Sequence, residues 1–199
     1  MNHLTGLTGL RNRYFLMRHG QSKANVAGLI VSSAERDAAG DYGLSDRGRD
    51  QALDAAKRSE LTPETVIFSS PFARARQTAE IVRGHLGAPP VTIEKSLAER
   101  FFGDWDGTDS AHYEKVWAED QSGITSAGAE PADAVQDRVT ALVAEADRRH
   151  DGRDILLVSH GDALQILLTG FAGLPAGTHR SVPHLETAEI RPAVPGWYV

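Results

Sequence analysis

The sequence contains no cysteine among its 199 residues. This absence excludes disulfide bonds, thiolate metal sites and a cysteine nucleophile. No apolar run approaches the roughly 20 residues that a membrane-spanning helix needs. Basic residues are not in excess either, since the formal net charge is −6, and a chain of this balance has no general attraction for nucleic acid or anionic membranes. Any anion-binding site must therefore be a local cluster of cationic side chains.

The amino-terminal segment also lacks a sustained apolar stretch. Residues 1–13 contain two Leu-Thr-Gly repeats and none of the features of a signal peptide. We therefore expect residues 1–13 to form a flexible arm and the protein to reside in the cytoplasm. Hydrophobic residues make up 41% of the chain and charged residues 24%, as in ordinary globular proteins. We expect residues 14–199 to form a single domain with a substantial core.

Two short apolar runs in this sequence each end in the dipeptide His-Gly. Tyr14–Met17 is followed by Arg-His-Gly at 18–20, and Ile155–Ser159 is followed by His-Gly at 160–161. Arginine supplies a permanent positive fork, histidine is easily kept neutral near pH 7, and glycine lets the backbone approach a ligand closely. Two such strand ends in one chain indicate a catalytic phosphate site.

Short β-branched runs alternate with segments of helical period along the chain. The predicted strands are Tyr14–Met17, Val66–Ser69, Val91–Glu94, Ile155–Ser159 and Ala188–Arg191. Helices are predicted from Ser45 to about Ser59, from Ser70-Pro71 to Gly87, from Pro131 onward, and from about Ala163 to Phe171. This alternation predicts an α/β fold, a three-layer α/β/α sandwich with a mostly parallel central sheet. Ligands of such folds bind beyond the carboxyl ends of the strands, where both His-Gly units lie.

Residues 103–129 differ in composition from the rest of the chain. They are rich in glycine, aspartate, tryptophan and small polar residues and show little periodicity. We interpret this segment as a cap or lid that crosses the site, rather than as a separate domain. Residues that select the substrate are expected here and in the segment that follows Asn25.

Six blocks of sequence resemble, in order, the histidine phosphatase superfamily in its phosphoglycerate mutase-like, Arg-His-Gly branch. The first is Arg-His-Gly-Gln-Ser-x-x-Asn at 18–25, and the second is Leu-Ser-x-x-Gly-x-x-Gln-Ala at 44–52. The third is Ser-Ser-Pro-Phe-Ala-Arg-Ala-Arg-Gln-Thr-Ala at 69–79, and the fourth is Leu-x-Glu-x-x-x-Gly-x-Trp-x-Gly at 97–107. Gly-x-Glu at 128–130 and Ser-His-Gly at 159–161 complete the set. The resemblance covers most of the chain, and six blocks in the family order are a specific signal.

The resemblance implies phosphoryl transfer through a histidine without a metal. His19 matches the nucleophile: a neutral imidazole brings no negative charge to an anionic phosphate ester, and its lone pair attacks phosphorus to give a phosphohistidine. Arg18 and Arg74 match the residues that donate paired hydrogen bonds to the phosphoryl oxygens, and their charge keeps the imidazole neutral. His160 resembles the family's second histidine, which donates to the same phosphoryl group. Because these side chains supply the positive field, we expect no metal ion and no cofactor.

The leaving alkoxide needs a proton. Glu99 matches the family's general acid, which afterwards deprotonates the attacking water. Asp162 is a competing candidate, because a more distant branch uses an aspartate next to the second histidine. Glu99 is preferred, since a glycine separates Asp162 from His160 and the block around Glu99 is intact.

Further substrate contacts are expected around the phosphate, from Gln21, Ser22, Asn25 and Gly161. Asn25 and Ser22 are also suited to capping a turn, and this alternative stays open. Arg76 faces away from Arg74 on its helix, so we expect it to be solvated or ion-paired. The aromatic residues of the lid are candidates either for substrate contact or for ordinary packing: Trp105, Tyr113 and Trp117.

The phosphoenzyme of this family passes its phosphoryl group either to water or to a bound phosphoglycerate. The mutases of the family usually carry a long insertion after the acid, whereas only 28 residues separate Glu99 from Gly128 here, and the charged residues among them are mainly acidic. Such a lid is poorly suited to a second phosphate. We therefore predict a phosphomonoester hydrolase with a small phosphorylated metabolite as substrate. The alternatives are a cofactor-dependent phosphoglycerate mutase, a phosphoprotein phosphatase, and a phosphate-binding module without catalysis; the oligomeric state stays open.

Overall fold

The central sheet of the protein has five strands. The structure, a computed structural model, describes residues 1–7, 9–120 and 122–194. The strands are β1 (Arg13–Arg18), β2 (Val66–Ser69), β3 (Thr92–Ile93), β4 (Asp154–Ser159) and β5 (Ile190–Ala193). Within the described residues their order is β3-β2-β4-β1-β5, and all pairings are parallel except that of β5 with β1. The predicted α/β fold with a mostly parallel sheet is confirmed.

The two outer strands differ from their predicted bounds. β3 has two residues in place of the predicted Val91–Glu94, because it is an edge strand that pairs with β2 only at Thr92 and Ile93. β5 begins two residues later than predicted, because Ala188 has a φ of +60°, which no β-strand accommodates.

Helices cover both faces of this sheet. The α-helices of the described residues are α1 (Lys23–Ala27), α2 (Ala34–Ala39), α3 (Asp46–Arg58), α4 (Ala73–Leu86), α5 (Tyr113–Asp120), α6 (Ala132–Arg149) and α7 (Gly161–Ala172). Short 3-10 turns cover Lys95–Leu97, Gly103–Trp105, Ser110–His112 and Ala176–Ser181. None of the helices in the described part of the chain is both long and apolar enough to cross a membrane.

The helix boundaries follow local capping chemistry. Ser45 caps α3 as predicted, since its hydroxyl accepts a hydrogen bond from the backbone of Gly48 over 3.1 Å. α4 begins at Ala73 rather than at the predicted Ser70-Pro71, because Phe72 keeps an extended backbone with ψ of 140°. α7 begins at Gly161, two residues before its predicted start. His160 therefore stands directly between β4 and the first turn of α7.

Alternate residues of the central strands pack into two apolar layers, one on each face of the sheet. Tyr14 and Leu16 of β1 pack with residues of α6 and α7 on one face, whereas Phe15 and Met17 pack with residues of α3 and α4 on the other. Burial on both faces explains why the strand is a continuous apolar run rather than an alternating one. Each fully buried apolar side chain of this kind stabilises the fold by about 1.5–3 kcal/mol.

The register of the sheet determines where the site lies. Arg18 at the end of β1 pairs with Ser159 at the end of β4, and Ser69 at the end of β2 pairs with Val158. The chain then leaves all three strands at the same edge of the sheet. His19, His160 and Ser70 are brought together for this reason, although they are far apart in sequence.

The segment interpreted as a lid is attached to the body of the protein at several points. Gly103 has a φ of +57°, and a Cβ at this position would lie 1.9 Å from the carbonyl oxygen of Ala127, so only glycine fits. Arg100, with no exposed surface, binds both carboxylate oxygens of Asp120 at the end of α5 over 2.6 Å. A buried ion pair therefore holds α5, the α-helix of the lid, to the body of the protein.

The first residues of the chain contact the layer formed by α6 and α7. The side-chain amide of Asn2 donates to the carbonyl of Gly170 over 2.8 Å, and the backbone of His3 donates to the hydroxyl of Thr140 over 3.1 Å. Part of the segment predicted as a flexible arm thus has defined hydrogen-bond partners on two helices.

Candidate active site

A cavity of about 560 Å³ opens at the carboxyl edge of the sheet, below α5. Seven of the site residues predicted from the sequence line it: Arg18, His19, Ser22, Asn25, Arg74, Glu99 and Gly161. His160 lies buried behind this wall, its ring centroid 5.2 Å from that of His19.

The buried imidazole of His19 presents a lone pair beside two guanidinium groups. Its Nδ1 lies 2.7 Å from the carbonyl oxygen of Gly20, which can only accept, so the proton is on Nδ1 and the lone pair is on Nε2. Arg74 donates from Nε to this Nε2 over 3.1 Å. Burial, followed by the charges of Arg74 and Arg18, holds the pKa of His19 well below its usual value. The imidazole is therefore neutral near pH 7.

Arg18 and Arg74 retain unused donors at the cavity. Arg74 donates from Nη2 to the carbonyl of Val31 over 2.9 Å, and Arg18 donates from Nη1 to the carbonyl of Leu185 over 3.0 Å. Within the described part of the chain, the buried Nη1 of Arg74 and Nε of Arg18 have no hydrogen-bond partner. A buried donor without an acceptor costs about 1–3 kcal/mol. Such donors are typical of a site whose acceptor is an anionic ligand.

His160 is oriented by a serine from the end of β2. The hydroxyl of Ser70 lies 2.7 Å from Nε2 of His160, and Nδ1 lies 3.9 Å from Oε2 of Glu99. Nδ1 has no hydrogen-bond partner among the described residues. Burial, together with the nearby charge of Arg74, lowers the pKa of His160 well below its usual value. With the hydroxyl of Ser70 donating to Nε2, the N–H at Nδ1 remains free to donate.

Glu99 is buried at the junction between the sheet and α7. Its Oε1 accepts from the backbone of Arg100 over 3.0 Å and from the backbone of Ala163 over 3.4 Å. Burial, followed by the negative charge of Asp162, raises the pKa of Glu99 to about 7. A carboxyl group with this pKa exchanges a proton near neutral pH.

Asp162 has a different environment from Glu99. It accepts hydrogen bonds from Arg100 over 3.2 Å and from the indole of Trp117 over 2.9 Å, and Nε2 of His179 lies 3.1 Å away. Burial by itself raises the pKa of Asp162, but the partners His179 and Arg100 lower it below the usual value. Asp162 is therefore an ionised structural carboxylate, and the geometry does not favour it as the proton donor.

Three residues that follow β1 are predicted to contact the substrate, and one of them, Gln21, does not line the cavity. Ser22 and Asn25 cap α1 reciprocally, since the hydroxyl of Ser22 accepts from the backbone of Asn25 and the amide oxygen of Asn25 accepts from the backbone of Ser22. Both residues also line the cavity. Gln21 does not: its side-chain oxygen accepts from Ser45 over 2.9 Å. The structure therefore does not support Gln21 as a substrate contact.

Gly161 lies beside Arg18 in the wall of the cavity. A Cβ at Gly161 would be in ordinary van der Waals contact with the guanidinium, 3.4 Å from Cζ of Arg18. Space alone therefore does not require glycine at this position.

Two of the three candidate lid aromatics reach the cavity. Tyr113 and Trp117 line it and stack on each other with ring centroids 5.3 Å apart. Trp105 is not part of the wall; its ring lies 4.4 Å from that of His112. Sequence reasoning assigned no site role to three wall residues that lie outside the six blocks, the lid and the segment after Asn25: Gln165, Arg180 and His184. It also assigned no role to Ser70, although this residue lies in the third block and just past a strand end.

The chain is similar to several known proteins. A family model described as the histidine phosphatase superfamily (branch 1) matches residues 14–193. The adenosylcobalamin/alpha-ribazole phosphatase of Escherichia coli K12 is 29% identical over 172 residues, which cover 82% of this chain and 81% of that protein. A probable phosphoglycerate mutase of Citrobacter koseri is 29% identical over 202 residues, covering 93% of this chain and 89% of that protein. The solved structure of a mycobacterial glucosyl-3-phosphoglycerate phosphatase is 26% identical with a TM-score of 0.76, covering 90% of this chain and 88% of that one.

Proposed function

Because the chain belongs to the histidine phosphatase superfamily, we propose that it is a metal-independent phosphomonoester hydrolase that works through a phosphohistidine on His19. The observation that carries this proposal is the neutral imidazole of His19, with its lone pair on Nε2 beside Arg74 in the wall of the cavity. A lone pair without negative charge, next to guanidinium groups with free donors, suits attack on an anionic phosphate ester.

The phosphoryl group of the substrate would supply hydrogen-bond acceptors for the buried donors that have none in the free protein. Its oxygens accept hydrogen bonds from the unpartnered Nε of Arg18 and Nη1 of Arg74, and from the free Nδ1 of His160. Charge-assisted bonds of this kind are about twice as strong as neutral ones. They also compensate the charge that spreads over the phosphoryl oxygens during transfer.

The reaction proceeds in two displacements. In the first, Nε2 of His19 forms a bond to phosphorus while the ester P–O bond breaks, and protonated Glu99 gives its proton to the departing alkoxide. In the second, ionised Glu99 takes a proton from water as the water oxygen attacks phosphorus and the N–P bond breaks. Inorganic phosphate leaves, and both His19 and Glu99 return to their initial protonation states.

We propose a small phosphorylated metabolite as the substrate and water as the acceptor. A cavity of about 560 Å³ under α5 suits a small molecule better than a side chain on a protein surface. Asp109 and Glu114 of the lid also line this cavity. Their negative charge disfavours the bisphosphorylated intermediate that a mutase must retain. Relatives named as phosphatases of different small molecules support the same class of reaction.

Hydrolysis of p-nitrophenyl phosphate by the purified protein tests this proposal. We expect turnover without added metal, unchanged by a chelator, and its loss in His19→Ala. Full activity in His19→Ala contradicts the assignment of the nucleophile. Interconversion of 2- and 3-phosphoglycerate that depends on 2,3-bisphosphoglycerate, faster than hydrolysis of either, would identify a mutase instead.

A further inference from the structure

Arg180 contributes a third arginine to the wall of the cavity. It belongs to the 3-10 turn Ala176–Ser181 that follows α7, and it lines the same cavity as Arg18 and Arg74. It lies outside the sequence blocks that predict the phosphoryl site. The family resemblance therefore assigns it no role in binding the transferred phosphoryl group.

The guanidinium of Arg180 is held in one orientation by two neighbours. Its Cζ lies 3.8 Å from the ring centroid of Trp117, so the guanidinium is stacked on the indole face. Its Nη1 donates to the side-chain oxygen of Gln165 over 2.5 Å. Gln165 is itself buried and anchored by a 2.6 Å hydrogen bond to the carbonyl of Val182.

One of these neighbours, Trp117, is itself held by a hydrogen bond to a buried residue beside the cavity. Trp117 donates from its indole nitrogen to Asp162, which binds the buried Arg100. Arginine side chains lose considerable conformational entropy when they are ordered. Because that loss is already incurred in the free protein, Arg180 is preorganised to bind a ligand.

Arg180 has no anionic partner of its own. Among the described residues, no carboxylate lies within 4.0 Å of its guanidinium, and its single hydrogen bond is the one to neutral Gln165. Among the described residues, Arg18 likewise has no carboxylate within 4.0 Å and one hydrogen bond, to a neutral carbonyl. Arg74 has one carboxylate within that distance, Asp37, at 3.8 Å. Stacked and tethered guanidinium groups with free donors bind planar oxyanions in a bidentate manner.

We propose that Arg180 determines substrate specificity by binding a carboxylate on the leaving-group part of the phosphoester. This inference rests on the proposed phosphomonoesterase function, since Arg18 and Arg74 are then engaged by the phosphoryl group. Asp109 and Glu114 line the same cavity, and their negative charge disfavours a second dianionic group in it more than a monoanionic carboxylate. The substrate class is thus that of phosphorylated hydroxy acids.

Matched pairs of substrates test the proposal. Each pair differs in a carboxylate against an alcohol: 3-phosphoglycerate against glycerol 3-phosphate, and 6-phosphogluconate against sorbitol 6-phosphate. We expect the wild-type protein to prefer the acid in at least one pair. In Arg180→Ala that preference, as the ratio of kcat/KM values, should fall about 10- to 100-fold, mainly through KM. Arg180→Lys should lie between the two, because it keeps the charge without the planar fork.

The control variant is Arg76→Ala, which removes an exposed arginine that does not line the cavity. It should leave the ratios unchanged. Unchanged ratios in Arg180→Ala for both pairs overturn the proposal. So does a larger loss on sorbitol 1,6-bisphosphate than on 6-phosphogluconate, which would assign a second phosphate to Arg180.

The two proposals fail in distinguishable ways. If the wild-type protein does not hydrolyse p-nitrophenyl phosphate, the proposed function fails. Calorimetric titration of the same variants with 3-phosphoglycerate, glycerol 3-phosphate, 6-phosphogluconate and sorbitol 6-phosphate then measures the carboxylate preference as a ratio of binding constants, without turnover. If p-nitrophenyl phosphate is hydrolysed and the acid-to-alcohol ratios do not respond to Arg180→Ala, only the inference about Arg180 fails.

Discussion

Arg74 donates a hydrogen bond from its Nε to Nε2 of His19 over 3.1 Å. In the free protein this contact occupies the lone pair that attacks phosphorus in the proposed reaction. The incoming phosphoryl group must therefore draw the arginine's donors to its own oxygens before the imidazole can react. In the proposed reaction the same arginine then orients the phosphoryl group, while burial and the charge of Arg74 keep the pKa of His19 low.

The pH dependence of hydrolysis should be set by Glu99 on the alkaline side. Its pKa of about 7 means that the proton needed by a poor leaving group is lost above neutral pH. We expect kcat/KM for glycerol 3-phosphate to fall above about pH 7, and the value for p-nitrophenyl phosphate, whose leaving group needs no proton, to fall much less. Glu99→Gln should lower kcat/KM for glycerol 3-phosphate by about 10²- to 10⁴-fold, and that for p-nitrophenyl phosphate much less. An equal loss of kcat/KM on both esters would contradict the role of acid in the first displacement.

Asp162→Asn should shift this alkaline limb toward lower pH. The negative charge of Asp162 helps to raise the pKa of Glu99, so its removal lets Glu99 ionise more readily. The measurement is the pH profile of kcat/KM for glycerol 3-phosphate. A loss of rate in Asp162→Asn greater than in Glu99→Gln, without a shifted limb, would instead indicate that Asp162 is the acid.

The raised pKa of Glu99 should also make the free energy of unfolding decrease as the pH rises. The pKa of Glu99 is raised from 4.5 to about 7 on folding, so its favourable contribution is complete below pH 4.5 and is lost as the pH rises through 7. Relative to wild type, Glu99→Gln should gain up to about 3 kcal/mol in free energy of unfolding between pH 4.5 and pH 8.5. Urea unfolding of both proteins at about pH 4.5 and about pH 8.5 measures this difference in free energy of unfolding. A gain that does not grow with pH would contradict the raised pKa.

Ser70→Ala should impair turnover more than binding. The variant removes the hydroxyl 2.7 Å from Nε2 of His160 and so frees the ring to rotate or change tautomer. We expect kcat to fall about 10-fold with a smaller change in KM, because in the proposed reaction His160 donates to the phosphoryl group in the transition state. A change confined to KM would show that Ser70 does not act through His160.

Arg100→Met should unfold more easily than wild type. It leaves the carboxylates of Asp120 and Asp162 buried without their cation, which typically costs about 3–5 kcal/mol. The control is Arg83→Met, which removes an exposed partner of Glu80 and should cost less than about 1 kcal/mol. Denaturant unfolding compares the two. If both variants lost the same free energy of unfolding, the ion pair of Arg100 would not be what holds α5 to the body of the protein.

The sequence predicted the fold well where short-range signals are strong. The apolar runs of β1, β2 and β4, the cap at Ser45 and the stop at Gly87 agree with the structure. Prediction was weaker at the edge strands, because β3 and β5 depend on which neighbour each residue pairs with. It was weakest in the lid, where α5 is held by the buried pair of Arg100 with Asp120 rather than by helical periodicity.

The residue types at the strand ends, taken together as blocks, were enough for the sequence by itself to identify the family and to predict seven of the residues that line the cavity. Only the tertiary structure decided that the lone pair of His19 lies on Nε2, that Asp162 is bound in an ionised network, that Gln21 lies away from the cavity and that Arg180 lies in its wall. The physical reason is that proton positions, pKa values and cavity walls depend on distances between side chains that are remote in sequence. Those distances are fixed by the sheet register and by packing, which no local pattern encodes.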